Sequence, residues 1–196
     1  MKRILILLLI ASCSPIKKFQ KTKEKWEKSV EDLNKLNLEI TQNEDSILFI
    51  GSSSIRLWNT IEQDIEPYSS IRRGYGGAKY TDLIHFTERL VEPHNVKAVG
   101  IFVANDITGS EKDLKPKEVL NLVKYVIRSI QKTHKNKPIF IIETTPTPKR
   151  WRVWDKISQA NDLISNFCSN KENLFLLRLV FAKTKHLYKQ KSETTA

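Results

Sequence analysis

The apolar positions of this chain alternate between two periods. Residues 46–50 (SILFI), 96–103 (VKAVGIFV), 138–143 (PIFIIE) and 174–180 (LFLLRLV) are short, nearly unbroken apolar runs. Such runs, rich in Val, Ile and Phe, predict strands buried on both faces. A shorter candidate covers Ser70 to Arg73. Between the runs, apolar residues recur every three or four positions, the spacing of one helix face. Trp26, Val30, Leu33, Leu36, Leu38 and Ile40 predict a helix over 24–40, and Leu57, Trp58, Ile61 and Ile65 one over 55–65. Leu83, Phe86 and Leu90 predict a helix over 82–91. The stripe from Val119 to Ile130 and the series Ile157, Ala160, Leu163, Ile164 and Phe167 predict the last two, the latter over 153–167. Strands alternating with helices argue for parallel βαβ units: an α/β, three-layer α/β/α sandwich with an open parallel sheet. In such sheets ligands bind beyond the carboxyl ends of the strands. No internal repeat or low-complexity segment interrupts the pattern.

The first residues follow a different pattern. Lys2 and Arg3 precede an apolar run, Ile4 to Ala11, that is too short to span a bilayer, and Ala11 and Ser12 then precede Cys13. A plain signal peptide or a buried strand has the same apolar run, but the order of charge, run, small pair and cysteine matches a bacterial lipobox. Residues 1–12 are therefore expected to be a signal peptide, and Cys13 the lipidated N-terminus of a membrane-anchored lipoprotein facing outside the cytoplasm in the bacterial cell envelope. Residues 13–25 read as a tether, 26–180 as the domain, and 181–196 as an atypical or truncated tail.

The chain has 196 residues, 40% hydrophobic and 28% charged, as expected of one globular domain. Its net charge is +11, and losing Lys2 and Arg3 leaves about +9, a balance that favours an anionic lipid surface. The lysines are spread along the chain and crowd its ends, so no nucleic-acid partner is expected. Cys168 sits at helical spacing and reads as a small core residue. No Cys/His group has metal-ligand spacing, so neither metal nor cofactor is expected.

Chemistry gathers at the predicted strand exits. The first strand leads into Gly51-Ser52-Ser53-Ser54, the second into Gly74-Tyr75-Gly76-Gly77, the third into Ala104-Asn105-Asp106 and the fourth into TTPTPKRW, Thr144 to Trp151. A serine supplies a nucleophile, a glycine lets its N–H approach an oxyanion, and an asparagine amide adds a donor. Taken singly, each is ordinary: serines cap helices, and GYGG and Asn-Asp make turns. Trp151 and Trp154 with Arg150 and Arg152 read either as a substrate rim or as a loop packed over the sheet.

Together the phrases GSSSIRLW, RRGYGGAKYTDL, FVANDI and TPTPKRWRVWDKISQAN resemble the SGNH hydrolases, also called the GDSL esterase/lipase family, over about residues 46 to 170. The resemblance implies a flavodoxin-like fold and metal-independent hydrolysis of ester bonds in lipids, acetylated sugars and other small acyl compounds. It implies Ser53 as nucleophile, with Ser52 in the place of the family's aspartate and Ser54 helping to start the helix. The implied oxyanion donors are the Ser53 and Gly77 backbone N–H groups and the Asn105 side chain. Val103 stands where the family has glycine, which is expected to crowd that pocket. The family's late Asp-x-x-His segment, source of the base and its orienting acid, has no counterpart here. His186 is a weak candidate for the general base, but Lys183 stands three positions before it, where the acid belongs. His85, His94 and His134 read as surface or cap residues. The expected ligand is a small-molecule ester or acylated glycan. The function implied is an esterase impaired in this chain, or a non-catalytic membrane-anchored protein that binds a glycan or acyl ligand.

Overall fold

The computed structural model describes residues 15–38 and 44–178. Five strands, β1 (Ile47–Gly51), β2 (Ser70–Gly74), β3 (Ala98–Phe102), β4 (Ile139–Ile142) and β5 (Leu174–Leu177), form one parallel sheet in the order β2-β1-β3-β4-β5. The chain runs outward from β1 to β2, then crosses back to β3, so the order reverses between β1 and β3. Gly51 lies level with both Gly74 and Phe102 in the register, so the first three strands end together on one rim.

The helices are α1 (Pro15–Lys18), α2 (Gln20–Lys35), α3 (Ser53–Arg56), α4 (Ile61–Asp64), α5 (Tyr80–Val91), α6 (Pro116–Thr133) and α7 (Trp154–Cys168). Their apolar stripes decide the layering. On one face, Leu48, Ile50, Val99, Ile101, Ile139 and Ile141 meet the buried sides of α2, α5, α6 and α7 in the main core. On the other, Phe49 packs with Ile55 of α3 and Ile61 of α4. Further along that face Phe140 stacks on Phe175, centroids 5.1 Å apart, and Phe175 and Leu177 remain 41% and 42% exposed. Cys168 is buried in the main core, as its spacing implied.

Three stretches differ from the sequence expectation. The tether expected over 13–25 is helical from Pro15 onward: Ile16 and Phe19 pack against the core, and Thr22 donates its hydroxyl to the Thr81 carbonyl at 3.0 Å. The single helix expected over 55–65 is two short ones. Asp64 accepts hydrogen bonds from the Trp58 indole N–H and the Thr60 hydroxyl, which closes a separate turn between them. The helix expected over 24–40 ends earlier, at Lys35, in a 3-10 turn over Leu36–Leu38. Cys13, His186 and the segments 1–14 and 179–196 lie outside the described residues.

Candidate active site

The exit of β1 is built by close backbone packing. Gly51 has φ +132°, and a Cβ there would lie 2.0 Å from the Phe102 carbonyl oxygen. Only glycine takes this conformation without strain. The approach lets the Ser52 N–H donate to that carbonyl at 2.9 Å, tying the β1 exit to the end of β3. Gly74 admits the turn from the other side, because a Cβ on it would meet the Ser52 carbonyl oxygen at 2.9 Å and Ile55 at 2.7 Å. Ser53 is thereby placed as the first residue of α3, half-buried, with Ser54 exposed beyond it. The residue at the N-cap is Ser52, which is buried and makes no side-chain cap bond, so the starting role expected of Ser54 falls to its neighbour's backbone. At the first helical position the Ser53 N–H has no intrahelical acceptor and is left for another partner.

Ser53 and Asn105 line one cavity of about 600 Å³ between the exits of β1, β3 and β4. Its remaining walls are rich in hydroxyls, from Ser52, Ser54, Thr144, Thr145 and Thr147, with Lys149 and Arg150 on its rim. The Asn105 amide is fixed at both ends. Its Nδ2 donates to the Ala78 carbonyl at 2.9 Å, and its Oδ1 accepts from Arg150 Nη2 at 2.8 Å. A guanidinium only donates and a carbonyl only accepts, so these partners set which end of the amide is nitrogen. The second Nδ2 hydrogen is left for a ligand. Arg150 also donates through Nη1 to the Ala104 carbonyl. It therefore works inward, on the Asn105 segment, while Arg152 donates to the Gly109 carbonyl. Of the rim expected from Arg150, Trp151, Arg152 and Trp154, only Arg150 lines this cavity; Trp154 packs against the main core.

Gly77 has φ +73° and is exposed. It immediately precedes Ala78, the residue that receives the Asn105 amide, but it lines a neighbouring cleft with Trp26 and not the Ser53 cavity itself. Val103 does not crowd the site. It shares strand parity with Ile101, is 5% exposed and points into the main core, so the expected crowding is corrected.

Behind Asn105 lie two buried carboxylates. Asp106 Oδ2 accepts the Tyr80 N–H at 2.9 Å, joining the β3 exit to the start of α5, while Oδ1 is buried without a partner. Burial, opposed in part by the Tyr80 hydrogen bond and reinforced by Asp82, pushes Asp106 up to about 7. Asp82, which accepts from the Tyr75 hydroxyl and the Lys79 N–H, is raised by burial to about 6. On the other side of the cavity, Asn161 holds the exit of β4, donating to the Thr144 carbonyl at 2.9 Å and accepting the Thr144 N–H at 3.3 Å.

Among the described residues no histidine and no acid lines the cavity with Ser53. His85 Nε2 donates to the Phe19 carbonyl at 2.9 Å. His134 caps the end of α6, donates Nε2–H to the His94 carbonyl at 2.7 Å, and is buried, as is His94; neither is a surface residue. Both precede strands, at the rim opposite Ser53. Burial, and then the charge of Arg73, depress His94 to about 4. The roles of Arg150 and Asn161 carry no local sequence signal, since each bond spans residues far apart in the chain.

Comparison with family models and with curated proteins finds no match. Among solved structures, the chain is similar to a protein of Streptococcus pneumonia provisionally named a platelet activating factor, with a TM-score of 0.66 and 20% identity over 82% of this chain and 78% of that one. It is similar to a protein of Bacteroides fragilis NCTC 9343 provisionally named an acylhydrolase, with a TM-score of 0.64 and 18% identity over 74% of each chain. A GDSL-like lipase of Bacteroides thetaiotaomicron VPI-5482 has a TM-score of 0.58 and 13% identity, covering 79% of this chain and 77% of that one. The fold of this chain is the fold of these proteins.

Proposed function

We propose that this protein is an SGNH/GDSL-type serine esterase for small acyl, lipid or acetylated-sugar esters, impaired in this chain and held on the envelope membrane through lipidated Cys13. The observation that carries the reading is the shared cavity of Ser53 and Asn105 at the reversal of the strand order, with the Asn105 amide oriented by Arg150. Ser53 Oγ attacks the ester carbonyl, the alcohol leaves, and water then releases the acid from the acyl-serine. The negative charge that develops on the carbonyl oxygen falls to the Ser53 N–H and the free Asn105 Nδ2 hydrogen, the two donors on this cavity, while the Gly77 N–H, on the neighbouring cleft, would serve only if the turn before Ala78 brings it over. One such donor is worth about 10²–10³ in rate. What the described part of the cavity lacks is an acceptor for the Ser53 proton. Serine hydrolases stripped of a triad member retain only about 10³–10⁴ over water, and slow turnover is expected here.

The same observation favours a second reading, a binding protein for a glycan or acyl ligand. The hydroxyl-rich walls suit a sugar, and binding needs no base. Hydrolysis of p-nitrophenyl acetate and labelling by a fluorophosphonate, each compared with Ser53→Ala, separate the two. Slow hydrolysis and slow labelling, both lost in the variant, support the impaired esterase. Fast turnover that disappears with Ser53 would refute the impairment. No labelling and no difference from Ser53→Ala would leave the binding reading.

A further inference from the structure

On the far side of Gly77 from Ser53 lies a cleft of about 470 Å³ lined by lysines from three separate segments: Lys21 and Lys25 of α2, Lys79 of the turn before α5, and Lys112 of the loop after β3. Lys21 and Lys25 are one helical turn apart and project on the same side. Among the described residues none of the four is in an ion pair. Among the described residues the acids lining the cleft are Asp82 and Asp106, which are 1% and 4% exposed. Lys25 Nζ lies 4.5 Å from the ring centroid of Trp26, which forms one wall, and Phe19 forms another. Cations around a tryptophan are the composition of a membrane-contacting surface. The face also holds the start of the described chain: exposed Lys17 lies in α1, and Cys13 precedes Pro15 by two positions.

We infer that the face made by α1, the first half of α2 and the Lys79 and Lys112 loops docks on an anionic phospholipid surface. Docked this way, the protein presents the rim that carries Ser53 toward the bilayer, because Gly77 and the loop after β3 belong to both the cleft and that rim. The electrostatic part of the inference does not require hydrolysis or acylation. The position of the face relative to Cys13 rests on the proposed anchor.

The test uses residues 13–196 with Cys13→Ser, so that neither the apolar run Ile4 to Ala11 nor an acyl group contributes, in co-sedimentation with vesicles of phosphatidylcholine alone or with one third phosphatidylglycerol. Binding should rise with phosphatidylglycerol and fall with salt. Lys21→Gln/Lys25→Gln/Lys112→Gln should weaken it about a hundredfold, from about fivefold per lysine at an anionic surface. Lys135→Gln/Lys137→Gln/Lys171→Gln, at the opposite rim and beyond a Debye length of about 8 Å from the bound surface, should change it less than about threefold. Equal losses in the two triple variants, or no response to phosphatidylglycerol, would overturn the proposal. So would displacement by millimolar inorganic phosphate at constant ionic strength, which would mark the cleft as a soluble-anion site. Thermal unfolding of both variants checks that the fold is kept. Partition of the acylated wild type onto phosphatidylcholine vesicles reads the anchor separately, so failure of the anchor is distinguishable from failure of the face.

Discussion

Replacing Asp106 with Asn should remove a pH dependence of stability that the wild type has between pH 5 and pH 8. Asp106 is buried, accepts the Tyr80 N–H through one oxygen and has no partner for the other. Its folded-state pKa of about 7 lies above the ordinary aspartate value of 3.8, so the folded protein binds more protons than the unfolded chain between those values. The sign follows: this group's contribution is fully present below about pH 4, is lost as pH rises toward 7, and changes no further above it. Between pH 5 and pH 8 the remaining loss is roughly 2–3 kcal/mol, at about 1.4 kcal/mol per pH unit up to the folded pKa. Asn keeps an acceptor for Tyr80 and carries no charge, so the variant escapes that loss. Placing amide hydrogens where the bare oxygen lay carries its own cost, but that cost is the same at both pH values and cancels in the comparison. Urea unfolding of wild type and Asp106→Asn at pH 5 and pH 8 measures it. The variant should gain on the wild type by roughly 2–3 kcal/mol over that interval. Asp82 leaves a smaller slope between about pH 4 and 6 in both proteins. The same difference between the two proteins at both pH values would show that Asp106 is already ionised in the folded state at pH 5, and the account of its burial would be wrong.

Gly51→Ala forces a Cβ onto the Phe102 carbonyl at a φ of +132° and breaks the Ser52–Phe102 bond. It should cost about 3 kcal/mol or more, read by chemical denaturation, and a loss under about 0.5 kcal/mol would contradict the geometry. Arg150→Met leaves the Ala104 carbonyl and Asn105 Oδ1 without their donors, for a loss of about 1–3 kcal/mol in thermal or urea unfolding. Arg150→Lys should not restore it, since one ammonium does not reproduce the fork that reaches both acceptors. If Asn105 serves as a donor to the acyl oxygen, fluorophosphonate labelling of Ser53 should also slow in Arg150→Met, and an unchanged rate in a folded variant would separate Arg150 from the chemistry.

Four of the five strands were legible because they are apolar without interruption, although β5 leaves Phe175 and Leu177 partly exposed; β2, with Arg72 and Arg73, was the faintest. The exits of β1 and β3 were legible for the same reason, since an abrupt change from apolar to Gly-Ser or Ala-Asn marks where a strand leaves the core. Val103 was misread although its parity with Ile101 placed it on the core side. The N-terminal helices were hidden by their lysines: over 15–25 only Ile16 and Phe19 reach the core, too few for a periodic signal. Arg150 and Asn161 were not legible as positioning residues at all. Their partners, Asn105 and Thr144, are brought to them by the crossover connections, and nothing in the local pattern records a bond made across the fold.

The parts of the Ser53 site are unequal in what holds them. The β1 exit is fixed by Gly51 and Gly74, which also set the spacing of β1, β2 and β3. Asn105 bridges Ala78 to Arg150, and Asp106 bridges β3 to α5, so both bear on the packing of the main layers. A substitution at these positions is therefore paid in stability whether or not the protein turns over an ester. A general base is different in kind. Its proton-accepting atom must reach Ser53, but no strand register or core contact described here depends on it. A variant without a base should therefore keep the fold, while a variant without Asn105 or Gly51 should lose stability. The presence of Ser53 and Asn105 on one cavity consequently testifies to the fold first and to catalysis only through a measured acyl-serine. For that reason labelling of Ser53, and not the preserved geometry around it, is the observation that decides between an esterase and a binding protein.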